Sequence, residues 1–178
     1  PLAAVAPAQA DTLGTGVVIN EAYLKGGSAN AAYSKKFVEL YNAGGTDVDL
    51  SSWSLQYRSA SGTGASSGTA ALSGTIKARS YFLIQINGNG STGAALPTPD
   101  LDLAGKVSPS GTTGTLFLAK TTTAITAPTG SVTGQSNIAD LIGYGSSNTY
   151  EGRVVPVTGG NDTPNSLART TFVDTDDN

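Results

Sequence analysis

The chain has 178 residues, 38% hydrophobic and only 13% charged, with Lys+Arg 10 against Asp+Glu 13 for a formal net charge of -3. That length suits one domain with a full core, and the acidic balance argues against a polyanion-binding surface, which shows as clustered Lys and Arg. With no His and no Cys, neither a Ser-His-Asp triad, nor a Cys nucleophile, nor a His-based zinc or nuclease site can be assembled.

In chain order, "PLAAVAPAQA" (1–10) reads as the end of a secretory signal, with Pro7 followed by Ala8-Gln9-Ala10 as an A-x-A cleavage site; a flexible Ala/Pro linker is the alternative. The chain does not start with Met, so it is expected to be cut from a longer precursor, exported or held at a bacterial cell surface. No run approaches the ~20 apolar residues of a membrane span, so no membrane insertion is expected.

Period-two alternation then places Val17, Ile19, Glu21 and Tyr23 on one face of a first strand. Lys25, Lys35 and Lys36 flank the next loop and read as a solvated strand entrance, with a polyanion contact as the alternative. Phe37 to Asn42 forms a second strand carrying Glu39, and Asn42 to Thr46 is a turn. Val48-Asp49-Leu50 leads to Trp53, Leu55 and Tyr57 on one face and Ser54, Gln56 and Arg58 on the other, the pattern of a half-buried antiparallel strand. Residues 59–71, "SASGTGASSGTAA", can bury almost nothing and are expected to be a mobile loop.

Apolar strands resume at Leu72, Ile76 and "YFLIQI" (81–86), and a loop rich in Gly, Asn and Pro follows (87–99). Asp100 and Asp102 alternate with leucines as a solvent-facing strand edge. Further strands are expected at 115–120, 138–144 and 154–157, with 166–173 as a candidate closing strand. Short strands and Gly-rich turns in this number predict an all-β, antiparallel β-sandwich over 11–173 with Greek-key connections and long Gly/Ser/Thr-rich loops, a closed barrel being the alternative. Residues 174–178 are expected to be an acidic tail.

The segments "VVINEAY", "KKFVELYNAGGTDVDLSSWSLQY", "LSGTIKARSYFLIQ" and "IADLIGYGSSNTYEG" resemble, in order, the lamin tail domain in the form found in secreted bacterial proteins. The resemblance runs from about Gly16 to Arg169. It implies an immunoglobulin-like sandwich, in agreement with the strand pattern. It also implies a module that stands beside secreted nucleases or phosphoesterases, or in surface and adhesion proteins. "DTDDN" resembles the segment closing the domain in such nucleases.

Glu21 and Glu39 are the first candidate site. A glycosidase needs two carboxylates ~5 to 9.5 Å apart across a sugar groove, which neighbouring strands can supply, yet aromatic residues to line one are few. A framework role is therefore preferred, with Arg169 as the expected partner, because an isolated buried charge costs several kcal/mol. Asn42, Trp53 and Asp140 complete the expected structural network.

Asp174, Asp176 and Asn178 follow the D-x-D-x-N manner of calcium loops, with Asp162 as a helper, and Asp100 and Asp102 are a second oxygen cluster. A disordered acidic tail is the preferred reading, so no cofactor is expected, calcium being the alternative. The Gly-rich stretches 62–68 and 88–93 lack the GK[ST] ending of a phosphate loop. The expected function is a non-catalytic structural, tethering or adhesion module whose partner is a protein, an envelope component or a second copy. An accessory substrate-contacting domain and a calcium-dependent module are the alternatives.

Overall fold

The computed structural model describes residues 16–170; the expected signal remnant (1–10) and acidic tail (174–178), with Asp174, Asp176 and Asn178, lie outside them. In chain order the strands are β1 (Val17–Tyr23), β2 (Lys36–Asn42), β3 (Val48–Asp49), β4 (Ser54–Arg58), β5 (Gly68–Ala71), β6 (Thr75–Ile76) and β7 (Tyr81–Ile86). They continue with β8 (Leu101–Asp102), β9 (Gly114–Ala119), β10 (Gly130–Ser131), β11 (Ile138–Tyr144), β12 (Thr149–Tyr150) and β13 (Leu167–Ala168).

Two sheets make the sandwich, ordered β13-β1-β2-β7-β8 and β11-β9-β4-β5. The chain crosses between them repeatedly, so β2 pairs with β7 while β4 and β5 lie in the other sheet. Pairing is antiparallel except at β7–β8 and in the small β10–β12 ladder. Val17, Ile19, Val38, Leu40, Ile84 and Ile86 from the first sheet meet Leu55, Leu116, Leu118 and Ile142 from the second in one core. Each side chain of this size contributes about 1.5–3 kcal/mol when fully buried.

The β1 face assignment needs correction. The register steps from Ile19↔Leu40 directly to Glu21↔Glu39, so Asn20 is the extra residue of a β-bulge, and a one-residue slip turns every later side chain to the opposite face. Val17 and Ile19 therefore share the core with Ala22 and Leu24. Glu21 and Tyr23 instead point to the outer face with Glu39 and Phe37, where Tyr23 stacks on Phe37 with centroids 5.5 Å apart.

Strand β4 is buried on both faces rather than one. Ser54 and Gln56 are fully buried and Arg58 is 1% exposed, because residues 121–128 lie as a strap across the outside of the second sheet. Ser54 Oγ donates to Thr121 O at 2.5 Å, Gln56 Nε2 to Thr123 O at 2.9 Å and Arg58 Nη1 to Ala127 O at 2.7 Å, while Ile125 N donates to Gln56 Oε1 at 2.8 Å. Ile125 and Ala127 close a second core with Phe117, Val132 and Leu141.

The 59–71 stretch is likewise more ordered than expected. Gly68–Ala71 pairs with β4 as β5, Ala70 is buried, and the carbonyls of Gly62 and Gly64 accept from Asn148 and Arg58. Residues 154–157 form no strand; Val155 makes one isolated bridge to Tyr144. Gly143 allows the close approach of β12, since a Cβ there would lie 2.2 Å from Thr149 O.

Candidate functional site

Glu21 and Glu39 sit directly opposite one another on β1 and β2, a position in which Cβ atoms are about 4.5–5.5 Å apart. Both are half-buried on the outer face of the five-stranded sheet. Asn20, the bulge residue, donates from Nδ2 to Glu39 Oε1 at 2.7 Å; among the described residues the Glu21 side chain has no hydrogen bond or ion pair. Tyr41 lies next along β2 and contacts Tyr81, with ring centroids 4.8 Å apart. Neither glutamate lines the cavity of about 210 Å³ that lies between β1, β13 and residues 155–158.

Arg169 is not the partner of either glutamate. Its Nη2 donates to Asp140 Oδ1 at 2.6 Å, its Nε to Ile19 O at 3.0 Å and its backbone N to Asn20 O at 2.9 Å. The other oxygen of Asp140 accepts from Ile19 N at 2.6 Å. Asp140 reaches the first sheet because β11 carries its own irregularity between Ile138 and Asp140, which points it inward after Ala139. One fully buried carboxylate thus fastens the second sheet to the bulge of the first, and Arg169 grips the same bulge from the far end of the chain.

The expected solvated lysine group is overturned by burial. Lys25 and Lys36 are 3% and 2% exposed, and Lys35 is half-buried, its Nζ 3.4 Å from Asn87 Oδ1. Lys25 Nζ donates to Thr158 O at 3.2 Å, Thr163 Oγ1 at 2.5 Å and Asn165 Oδ1 at 2.8 Å. Lys36 Nζ donates to Pro109 O at 2.7 Å.

Arg58 reaches Gly64 O, Ala127 O, Pro128 O and Thr149 Oγ1 and lies over the Phe117 ring, 5.6 Å from its centroid. Desolvation lowers the pKa of all three cations, and at Lys25 the nearby Asp162 partly opposes it. Their hydrogen-bond acceptors are neutral oxygens, so these charges are solvated by the chain's own dipoles and hold loops against the sheets.

The remaining expected residues do not converge. Asn42 is fully buried and braces its turn, donating to Thr46 O at 2.8 Å and accepting from Gly44 N at 2.9 Å. Trp53 is half-buried against the main core with Lys120 Nζ 5.9 Å from its ring centroid. Asp100 accepts from Leu83 N at 2.7 Å, and Asp102 from Ala104 N and Gln85 Nε2, both at 2.8 Å. These carboxylates brace the β7–β8 edge. Among the described residues no group of three or more His, Cys, Asp or Glu is placed to hold a metal ion.

Sequence reasoning missed the strap contacts of Ser54, Gln56 and Arg58. Their trace in the sequence is the spaced pair Ile125 and Ala127 within a threonine-rich stretch.

A family model described as Lamin Tail Domain matches residues 11–146. Neither a curated protein nor a solved structure matches the chain.

Proposed function

Because this chain belongs to the lamin tail domain family, we propose that it is a non-catalytic module of a bacterial secreted or surface protein, tethering that protein to a protein component of the cell envelope. The family carries the coarse part of this reading, an immunoglobulin-like structural and interaction domain. The observation that supports the rest is how the interior charge is used. Asp140, Arg169, Lys25, Lys36 and Arg58 are spent on holding loops and sheets together, which leaves a rigid frame from which loops can present a binding surface. Tyr81, 50% exposed on the outer sheet face beside Tyr41, adds an aromatic contact of the kind enriched at protein interfaces.

The test is to flow the purified chain over immobilised envelope proteins and, separately, over DNA at low salt. Saturable binding to a defined envelope protein, weakened by Tyr81→Ala, is expected. DNA binding that falls steeply with salt would instead make the chain a substrate-contacting accessory, and that is not expected while Lys25 and Lys36 are buried. Turnover of a glycan or phosphoester substrate abolished by Glu39→Gln would overturn the non-catalytic reading.

A further inference from the structure

We propose that Lys25 and Asn165 are the two halves of an intramolecular amide cross-link that the folded chain forms by itself. Lys25 Nζ attacks Asn165 Cγ, the new C–N bond replaces the bond from Cγ to Nδ2, and the former amide nitrogen leaves as ammonia carrying the proton given up by the amine. Atoms and electrons balance without oxidant, cofactor or second substrate.

The geometry that points there is specific. Lys25 Nζ lies 2.8 Å from Asn165 Oδ1, and a C=O bond is about 1.23 Å, so the amide carbon is within about 4 Å of the amine. That is close to the ~3–3.5 Å separation of reacting atoms in a near-attack arrangement. Of the three acceptors around Nζ, Thr158 O and Thr163 Oγ1 can take the two protons of a neutral amine, which turns its lone pair toward the third, Asn165. The amide is held from its other end, where Asn165 Nδ2 donates to Thr158 Oγ1 at 3.0 Å. Thr158 therefore orients both nucleophile and leaving group.

The surroundings favour the nucleophilic form. Lys25 is 3% exposed, the acceptors of its hydrogen bonds are neutral, and burial lowers its pKa, which raises the fraction of free amine. Asp162 acts electrostatically on the same amine in the opposite direction, but desolvation is the larger effect.

The link would also do structural work. It joins the residue just past β1 and Leu24 to one just before β13, 140 positions apart, in a chain that has no cysteine. Cross-linking so long a loop removes much of the unfolded state's freedom, as a disulfide does. The segment it would hold, 158–165, is mostly exposed and has little apolar burial of its own.

The experiment is intact-mass measurement of the full chain after native purification and incubation at mildly alkaline pH. The expected mass is the sequence mass less one ammonia, with a branched tryptic peptide joining Lys25 to Asn165. Lys25→Arg and Asn165→Ala should each restore the full mass, and Asn165→Asp should lose one water instead. Asn165 is exposed, so Asn165→Ala should fold even if Lys25→Arg does not. An unaltered mass in the wild-type chain overturns the proposal. So does an ammonia loss that persists in Asn165→Ala, which would place the reaction at Asn87-Gly88 or Asn89-Gly90 as a succinimide.

Discussion

At Asp140, two donors converge on one fully buried carboxylate, and both come from the other side of the sandwich: the backbone of Ile19 and the guanidinium of Arg169. Removing one partner of a buried pair costs about 3–5 kcal/mol; with the Arg169 side chain still 11% exposed, the low end applies. Asp140→Asn should therefore lower unfolding stability by about 3 kcal/mol, read as a shift in the urea midpoint.

The outer-face pair behaves oppositely. Glu21 and Glu39 are like charges set directly across from one another, an arrangement that opposite charges improve by roughly 0.2–1 kcal/mol. Glu21→Lys should raise the melting temperature, and a lowered one would mean that Glu21 already has a favourable use. That these glutamates lie on neighbouring strands follows from the strand spacing, although only the bulge sets them directly opposite. That Arg169 serves Asp140 does not, because the bulge at Asn20 turns Glu21 away from the core without altering composition.

Among the elements, the strap over β4 shows where sequence patterning stops short. The alternation of Trp53, Leu55 and Tyr57 with Ser54, Gln56 and Arg58 identifies a strand, and β4 is that strand. Polarity on its second face suggests solvent, but the cover arrives from residues 121–128, far along the chain, and its fit lies in hydrogen bonding rather than in apolar periodicity. The strands at 138–144 and at 81–86 were legible for the converse reason, being long and mostly apolar.

Gln56 serves two strap groups at once, the Thr123 carbonyl and the Ile125 N–H. Gln56→Leu leaves both unpaired, at about 1–3 kcal/mol for each buried group left unsatisfied. The expected result is faster amide hydrogen exchange across 121–128 with β1 and β2 still protected. Uniform acceleration would show that strap and sandwich unfold as one unit.

For the whole molecule, burial of titratable groups sets opposing responses to alkali. Desolvation lowers the pKa of Lys36 below its ordinary value of 10.5. Between the folded and unfolded pKa values the unfolded chain then binds more protons, so this contribution to stability rises with pH up to about 10.5. Tyr144, fully buried with its hydroxyl 2.6 Å from Ser110 O, has its pKa raised above the ordinary 10.0 by burial and by Tyr57.

Above pH 10 the folded state therefore retains a proton at Tyr144 that the unfolded chain releases, and stability falls as pH climbs further. Urea titrations from pH 8 to pH 11 should show a gentle rise followed by a decline. Tyr144→Phe should lower stability at neutral pH by about 1 kcal/mol through its lost hydrogen bond while flattening the decline. A decline of unchanged steepness in that variant would assign it to other groups.

The cations that clasp carbonyl oxygens have a last implication. Ion pairs open to water fade as dissolved electrolyte screens them, within about 10 Å at 0.1 M. A lysine sunk against Pro109 O or a guanidinium laid between Ala127 O and a phenylalanine ring has no such exposure. Added salt should therefore weaken the exposed Lys77–Asp47 pair while leaving these fastenings nearly unchanged.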